Sequence, residues 1–175
     1  MTLTDILKKR RSVRKFESRP VPRDVVEGLL RLTLTAPSSK NTRSTRFMVV
    51  DAPVTLERIS QMRDFGSSLI ATAPCAVIVS GDASATDLWV DNAAISATIL
   101  QLAAEEAGLG SCWVHVNGRS QRREDPDGPD AEEYLRGFLS LPADWRPLCV
   151  VALGYPLEPS KPHHERDDAD KIIWL

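Results

Sequence analysis

An α+β fold, with helices packed around a small sheet, is predicted by three features of the sequence. Four short apolar runs read as buried strands: residues 47–50, 75–79, 111–114 and 148–153. Segments with helical spacing separate them. Strands and helices alternate irregularly, without the regular strand–helix–strand repeat of a parallel sheet. The length of 175 residues fits one domain over residues 1–175. Residues from about 157 onward form an extended C-terminal arm in this reading, because the last twenty residues show no core periodicity.

Taken in order, Thr4 and Asp5 are placed to cap a short helix carrying Leu3, Ile6 and Leu7. A basic run from Lys8 to Lys15 follows, and Pro20 and Pro22 mark a turn. Val25, Val26, Leu29, Leu30 and Leu32 recur at helical spacing, and the helix should stop near Ala36-Pro37. Residues 38–42 read as a loop. Pro53 opens a helix through Leu56 and Ile59, which Gly66-Ser67-Ser68 breaks. Gly81-Asp82 ends the second strand. The longest helix spans roughly residues 87–107, apolar nearly all round and rich in alanine, so it should be buried on most sides. Gly108-Leu109-Gly110 caps it. Residues 117–130, with two glycines and two prolines, read as an exposed loop, and residues 131–139 as a short helix. Gly154-Tyr155-Pro156 closes the fourth strand. The sequence has no internal repeat.

Composition narrows the function classes. Apolar residues make up 42% and charged residues 26%, the balance of a soluble globular protein. A formal net charge of -2 gives no global attraction to nucleic acid or anionic membrane. Cys75, Cys112 and Cys149 sit in apolar stretches without metal-ligand spacing, and read as buried free thiols of a reducing compartment. No apolar run has transmembrane length, and Met1 to Asp5 lacks a signal core, so a cytoplasmic location is expected.

Four stretches are candidates for chemistry. Arg10-Arg11-Ser12-Val13-Arg14 suits phosphate, because guanidinium groups bind it through paired planar hydrogen bonds. Alone, such a cluster is more often a solvated face. Ser38-Ser39-Lys40-Asn41 lets a backbone approach a flat ligand, and an asparagine amide can pair with a pyrimidine edge. Alone, it is an ordinary helix-ending loop. In Gly108 to Val116 the glycines lack the dinucleotide-binding spacing, and His115 has no evident catalytic partner. Lys161-Pro162-His163-His164 pairs two histidines at a spacing poor for one metal ion, so no metal is expected.

The order of these stretches is more specific than any one of them. Arg-Arg-Ser-Val-Arg, then Ala-Pro-Ser-Ser-Lys-Asn, a small-residue helix ending Gly-Leu-Gly-Ser-Cys-Trp, Gly-Tyr-Pro and a basic tail resemble the FMN-dependent nitroreductase family. The resemblance covers nearly the whole chain and is strongest from Asp91 to Trp113. It implies a mainly antiparallel sheet and an intertwined homodimer with FMN at the interface, the long helix forming the dimer core. Arg10, Arg11, Ser12 and Arg14 would hold the flavin phosphate and ribityl chain, with Arg14 also in reach of the ring edge. Ser38, Ser39 and Asn41 would approach the ring from the other subunit. His115 and Val116 fall where backbone groups lie near flavin N5 and O4, and Lys161 and His163 where basic residues contact the phosphate. The flavin would accept hydride at N5 from NADH or NADPH and reduce a small-molecule acceptor, a nitroaromatic, quinone or similar electrophile, in ping-pong fashion. No protein acid or base is needed for the hydride step. Dehalogenation, flavin fragmentation, azoline oxidation and non-catalytic flavin binding share the same motifs and stay open.

The sequence departs from the family pattern in places. Arg43-Ser44-Thr45 stands where Gln-Pro-Trp is common, which alters the charge near the flavin, and His163 stands where arginine is common. The helical insertion of larger members is missing, which leaves specificity to residues 64–70 and 117–130.

Overall fold

In the computed structural model, which describes residues 1–161, 163 and 168–175, the chain runs through five helices and six strands. These are α1 (Leu3–Lys9), α2 (Arg23–Thr33), β1 (Thr45–Val50), α3 (Pro53–Ser60), β2 (Cys75–Asp82), α4 (Trp89–Glu106), β3 (Gly110–His115), β4 (Ser120–Arg122), β5 (Asp125–Asp130), α5 (Ala131–Arg136) and β6 (Trp145–Gly154). Three short 3-10 turns, at Ser39–Asn41, Ser68–Thr72 and Ala169–Lys171, complete it.

The main sheet has the order β1-β2-β6-β3, and every pairing in it is antiparallel. Its two central strands, β2 and β6, are buried on both faces. That is why the sequence shows them as continuous apolar runs and not as an alternation. Successive side chains still point to opposite faces. Ala76, Ile78, Val114, Val150 and Ala152 meet Leu56, Ile59, Met62, Ile70 and Leu135 on the side of α3 and α5. Val77, Val79, Val151 and Leu153 meet Val26, Leu29, Ala97, Leu100 and Ala104 on the side of α2 and α4. The two apolar layers hold the edge strand β3 in place, and the candidate site lies along that edge.

Helix ends differ from the expectations in instructive ways. The cap of α1 is Thr2, not Thr4 or Asp5: Thr2 Oγ1 accepts from the Asp5 N–H (3.2 Å), and the Asp5 carboxylate accepts from the Thr2 N–H (2.8 Å). This reciprocal pair satisfies two donors at once, which a cap at Thr4 does not. The second helix stops at Thr33, three residues short of Ala36. The Thr33 and Thr35 hydroxyls bond back to the carbonyls of Leu29 (2.8 Å) and Leu32 (2.7 Å), competing with further helix there.

Residues 117–130 are not an open loop. They contain the β4–β5 hairpin, with Ser120 opposite Asp130 and Arg122 opposite Asp125. Both of its faces are largely polar, so the apolar alternation that marks a half-buried strand is missing. The hairpin is tied to the 60s segment, where the Asp64 N–H donates to the Gln121 carbonyl (2.8 Å) and the Asp64 carboxylate accepts from the Arg123 N–H (3.1 and 3.2 Å). Asp130 and Glu133 then form a second reciprocal cap that opens α5.

The long helix α4 packs on α1, α2 and the sheet, but it is not covered all round in one chain. Ile95 is 40% exposed, and Ile99 and Leu102 are half-buried. Cys75, Cys112 and Cys149 are buried free thiols, as expected. Among the described residues no helix is long and apolar enough to cross a membrane.

Candidate functional site

The basic N-terminal stretch lies along the β3 edge. Ser12 bridges Ser111 in parallel, with the Val13 N–H donating to the Ser111 carbonyl (2.9 Å). Phe16 bridges Pro156, and the Glu17 N–H donates to the Tyr155 carbonyl (2.9 Å). Two glycines permit this approach. A Cβ on Gly110 would sit 2.7 Å from the Val13 side chain, and one on Gly154 would sit 2.7 Å from Pro74 and 2.9 Å from Phe16. The Gly-Leu-Gly and Gly-Tyr-Pro stretches are therefore where the backbone makes room for the arginine segment.

The C-terminal stretch returns to the same place, with the Leu157 N–H donating to the Lys15 carbonyl (3.1 Å). Between the two stretches lies a cleft of about 430 Å³, lined by Arg11, Ser12, Arg14, Lys15 and Lys161 among others. Glu158 also lines it, 3.9 Å from the Lys15 amine, and offsets one of the four positive charges. Arg11 Nη1 donates to the carbonyls of Lys8 (3.0 Å), Lys9 (3.3 Å) and Arg10 (2.7 Å), so it caps the end of α1. Its Nη2 is buried with no partner among the described residues. An orphaned buried guanidinium nitrogen is costly unless an acceptor reaches it, and a phosphate oxygen supplies that acceptor. Among the described residues Arg14 donates only to the Ser12 carbonyl (3.3 Å), which leaves its remaining donors available. The donor set fits a phosphate monoester such as that of FMN.

Arg10 does not line this cleft. It lies with Arg14 near Cys112, where both charges oppose the upward push of burial on that thiol. His163 is exposed and is not among the lining residues either. Pro162 and His164 fall outside the described residues, and among those described no group of acids, histidines and cysteines is placed to hold a metal.

Of the 38–43 loop, Ser38 and Arg43 line a different cavity, of about 420 Å³, with Ala36, Arg46, Phe47 and Trp145, whereas Ser39 and Asn41 do not line it. The two cavities share no residue. Lys40, Asn41 and Arg43 in this loop have φ of 50°, 54° and 48°. Side-chain-bearing residues rarely adopt this left-handed conformation, and strain of this kind clusters at functional sites. What holds it is Asn92, on the first turn of α4 and 2% exposed. Asn92 Oδ1 accepts from the Ser39 N–H (2.8 Å), while its Nδ2 donates to Thr42 Oγ1 (3.3 Å) and Ser44 Oγ (2.9 Å). Ser38 Oγ adds a bond from the Arg43 N–H (2.9 Å). Asn41 itself is exposed. Arg46 pairs with Asp82 (2.9 Å), whereas Arg43 has no ion-pair partner among the described residues.

At the other end of β3 stands His115. Its Nδ1 accepts from the Trp113 indole N–H (3.2 Å), and the two rings stack at 6.1 Å. An indole nitrogen only donates, so this bond requires the neutral imidazole with its proton on Nε2. Burial lowers the His115 pKa, and the charges of Arg119 and Arg63 lower it further, against a smaller upward effect of the Asn117 backbone. Val116 is buried, and its N–H is already engaged by the Leu148 carbonyl (2.9 Å).

Sequence reasoning missed Asn92 as the clamp of the loop. The available signal was an asparagine, one of two amides with Gln101, in a helix rich in small and apolar residues. It missed Arg63 and Arg119 beside His115 as well, for which the sequence carries no signal, since a hairpin and a turn bring them together.

Comparison with known proteins agrees with this arrangement. The family model described as the nitroreductase family matches residues 7–155. A protein of Methanothermobacter thermautotrophicus, provisionally named an NADH dehydrogenase/NAD(P)H nitroreductase, is 32% identical over 90% of this chain and 79% of its own. The structure of an FMN-dependent nitroreductase from Clostridium difficile superposes with a TM-score of 0.89 at 34% identity, covering 97% of this chain and 96% of that one. A structure from Desulfovibrio desulfuricans, solved in complex with FMN, shares the fold at a TM-score of 0.81 and 20% identity, over 100% of this chain and 97% of its own.

Proposed function

This chain belongs to the nitroreductase family, and on that premise we propose that it is an FMN-dependent NAD(P)H oxidoreductase, working as a homodimer on nitroaromatics, quinones or similar electrophiles. The observation that carries the reading is the cation-rich cleft on the β3 edge, where Arg11 holds a buried donor without a partner. FMN, when bound, supplies hydride acceptance from the nicotinamide donor and electron delivery to the second substrate.

The residues divide the work. Arg11, Ser12, Arg14 and Lys161 hold the phosphate end, with Arg10 and His163 adding charge at its margin. Positive charge beside the flavin favours the reduced, anionic form. Ser38, Ser39 and Asn41 approach the ring from the second subunit, and the clamp of Asn92 keeps their loop in a strained shape ready for that contact. His115 and Val116 border the ring at the end of β3.

Two features support the dimer. Ser38 lines a cavity that shares no residue with the phosphate cleft of the same chain. Ile95 on α4, with Ile172, Ile173 and Trp174 on the C-terminal arm, presents apolar surface that a second subunit would cover. A cytoplasmic location suits three buried free thiols.

Replacing Arg10 and Arg14 together by alanine tests the assignment. Loss of the Arg14 charge-assisted contact, worth about 1.5–3 kcal/mol, together with the marginal charge of Arg10, lowers FMN affinity by about tenfold or more, with the dimer intact. Full flavin occupancy of the double variant at low FMN concentration overturns it.

A further inference from the structure

A second cationic cluster sits at the opposite end of β3 from the Ser12 bridge, about 13 Å along the strand at the usual rise per residue. The flavin reading leaves it unused. The Arg63 guanidinium lies 4.1 Å from the centre of the Phe65 ring, and that of Arg123 lies 4.9 Å from the same centre. Arg63 Nη1 makes one long bond, to the His115 carbonyl (3.4 Å), and its Nε is buried with no partner among the described residues. Arg119 is fixed by its backbone, its N–H on the Val116 carbonyl (3.0 Å) and its own carbonyl accepting from the Ala131 N–H (2.8 Å). Its exposed side chain makes no hydrogen bond or ion pair among the described residues, and its charge acts on Arg63.

Asp64 lies beside this group, and its negative charge favours the charged Arg63 without forming an ion pair with it. Its two carboxylate oxygens share the Arg123 N–H. Among the described residues none of Arg63, Arg119 and Arg123 has an ion-pair partner. Burial disfavours the charged Arg63 guanidinium, Arg119 adds like-charge repulsion, and an incoming anion relieves both. The hairpin tie of Asp64 to Gln121 holds the cluster in place without the anion.

We propose that Arg63 and Arg119, with Arg123 at the rim, form an oxyanion-binding site at the His115 end of β3 that takes the phosphate or carboxylate of a substrate of the flavin reaction. The site itself follows from the cluster; its assignment to a substrate rests on the flavin reading. Planar guanidinium donors bind phosphate and carboxylate alike. The anion therefore comes either from the nicotinamide nucleotide or from an acidic acceptor.

Calorimetric titration with inorganic pyrophosphate at low ionic strength, on the FMN-saturated protein and on the protein without added FMN, tests the site. Saturable binding is expected, weakened about tenfold or more by Arg119→Gln and largely restored by Arg119→Lys. The Arg119-dependent binding should persist in the Arg10→Ala/Arg14→Ala variant. Absent binding, or binding lost only in that double variant, overturns the proposal. Arg119-dependent binding in a protein that takes up no FMN keeps the oxyanion site and overturns the flavin reading. The source of the anion is read from kcat/KM. A loss in Arg119→Gln for NADPH or NADH with a neutral quinone assigns the donor's phosphate. A loss confined to a carboxylated nitroaromatic, with its neutral analogue unaffected, assigns the acceptor. No loss for any of them overturns the substrate assignment.

Discussion

Asn92→Ala isolates the device that shapes the 38–44 loop. The side chain makes three hydrogen bonds, to Ser39, Thr42 and Ser44, and both Asn92 and Ser44 are buried. At about 1 kcal/mol net each, their loss amounts to about 3 kcal/mol. An opposing effect reduces this. Lys40, Asn41 and Arg43 are held in the left-handed region, at about 1 kcal/mol each for a residue with a side chain, and a released loop recovers part of that. The net loss is about 1–3 kcal/mol, and a 2 kcal/mol loss lowers the melting temperature by about 4–8 °C in a chain of this size. Urea denaturation at fixed protein concentration measures it, because dimerisation makes apparent stability concentration-dependent. Amide exchange locates it: the Ser39 and Arg43 N–H groups should lose protection while β2 and β6 keep theirs. Ser38→Ala, which removes only the bond from Arg43, should cost about 0.5–1 kcal/mol. An Asn92→Ala protein within about 0.5 kcal/mol of wild type, with loop exchange unchanged, refutes the clamp.

Gly110→Ala places a methyl group within 2.7–2.9 Å of three side-chain atoms of Val13. Moving the arginine segment away should cost about 1–3 kcal/mol and weaken FMN binding in parallel; wild-type urea midpoint and flavin affinity in this variant refute the packing argument. His115 has a lowered pKa in the folded state, so between that value and the ordinary 6.5 the unfolded chain binds more protons and stability rises with pH. Urea midpoints across this window should show that slope, and His115→Gln should remove it; an identical slope in the variant contradicts the assignment. Burial raises the pKa of all three thiols, that of Cys75 to about 12. A disulfide reagent at pH near 8 should find no reactive thiol in the native protein and all three after denaturation; rapid labelling of the native protein refutes their burial.

Much of this fold was legible because its strong signals are local. The four strands of the main sheet appear as apolar runs, since burial on both faces keeps residues 75–79 of β2 and 148–153 of β6 apolar. The helices from Arg23 and from Trp89 appear as periodic or continuous apolar stretches. The β4–β5 hairpin was not legible, because it is held by backbone pairing and by Asp64 from a distant turn, with no apolar face to mark it. The cap at Thr2 was read two residues late, as helix boundaries commonly are. For the site, the arginine segment and Lys161 were visible as charge, and the structure brings them to one cleft. Asn92, Arg63 and Arg119 act through contacts some fifty residues apart in sequence, which no local pattern encodes.

The most direct measurement is an absorbance spectrum of the purified protein, recorded before and after anaerobic addition of NADH and of NADPH. The expected result is a flavin spectrum that bleaches with at least one of the two nucleotides, which also reveals the preferred donor. A flavin that neither nucleotide bleaches contradicts the reductase assignment. A protein that stays colourless after incubation with FMN contradicts the proposed cofactor itself.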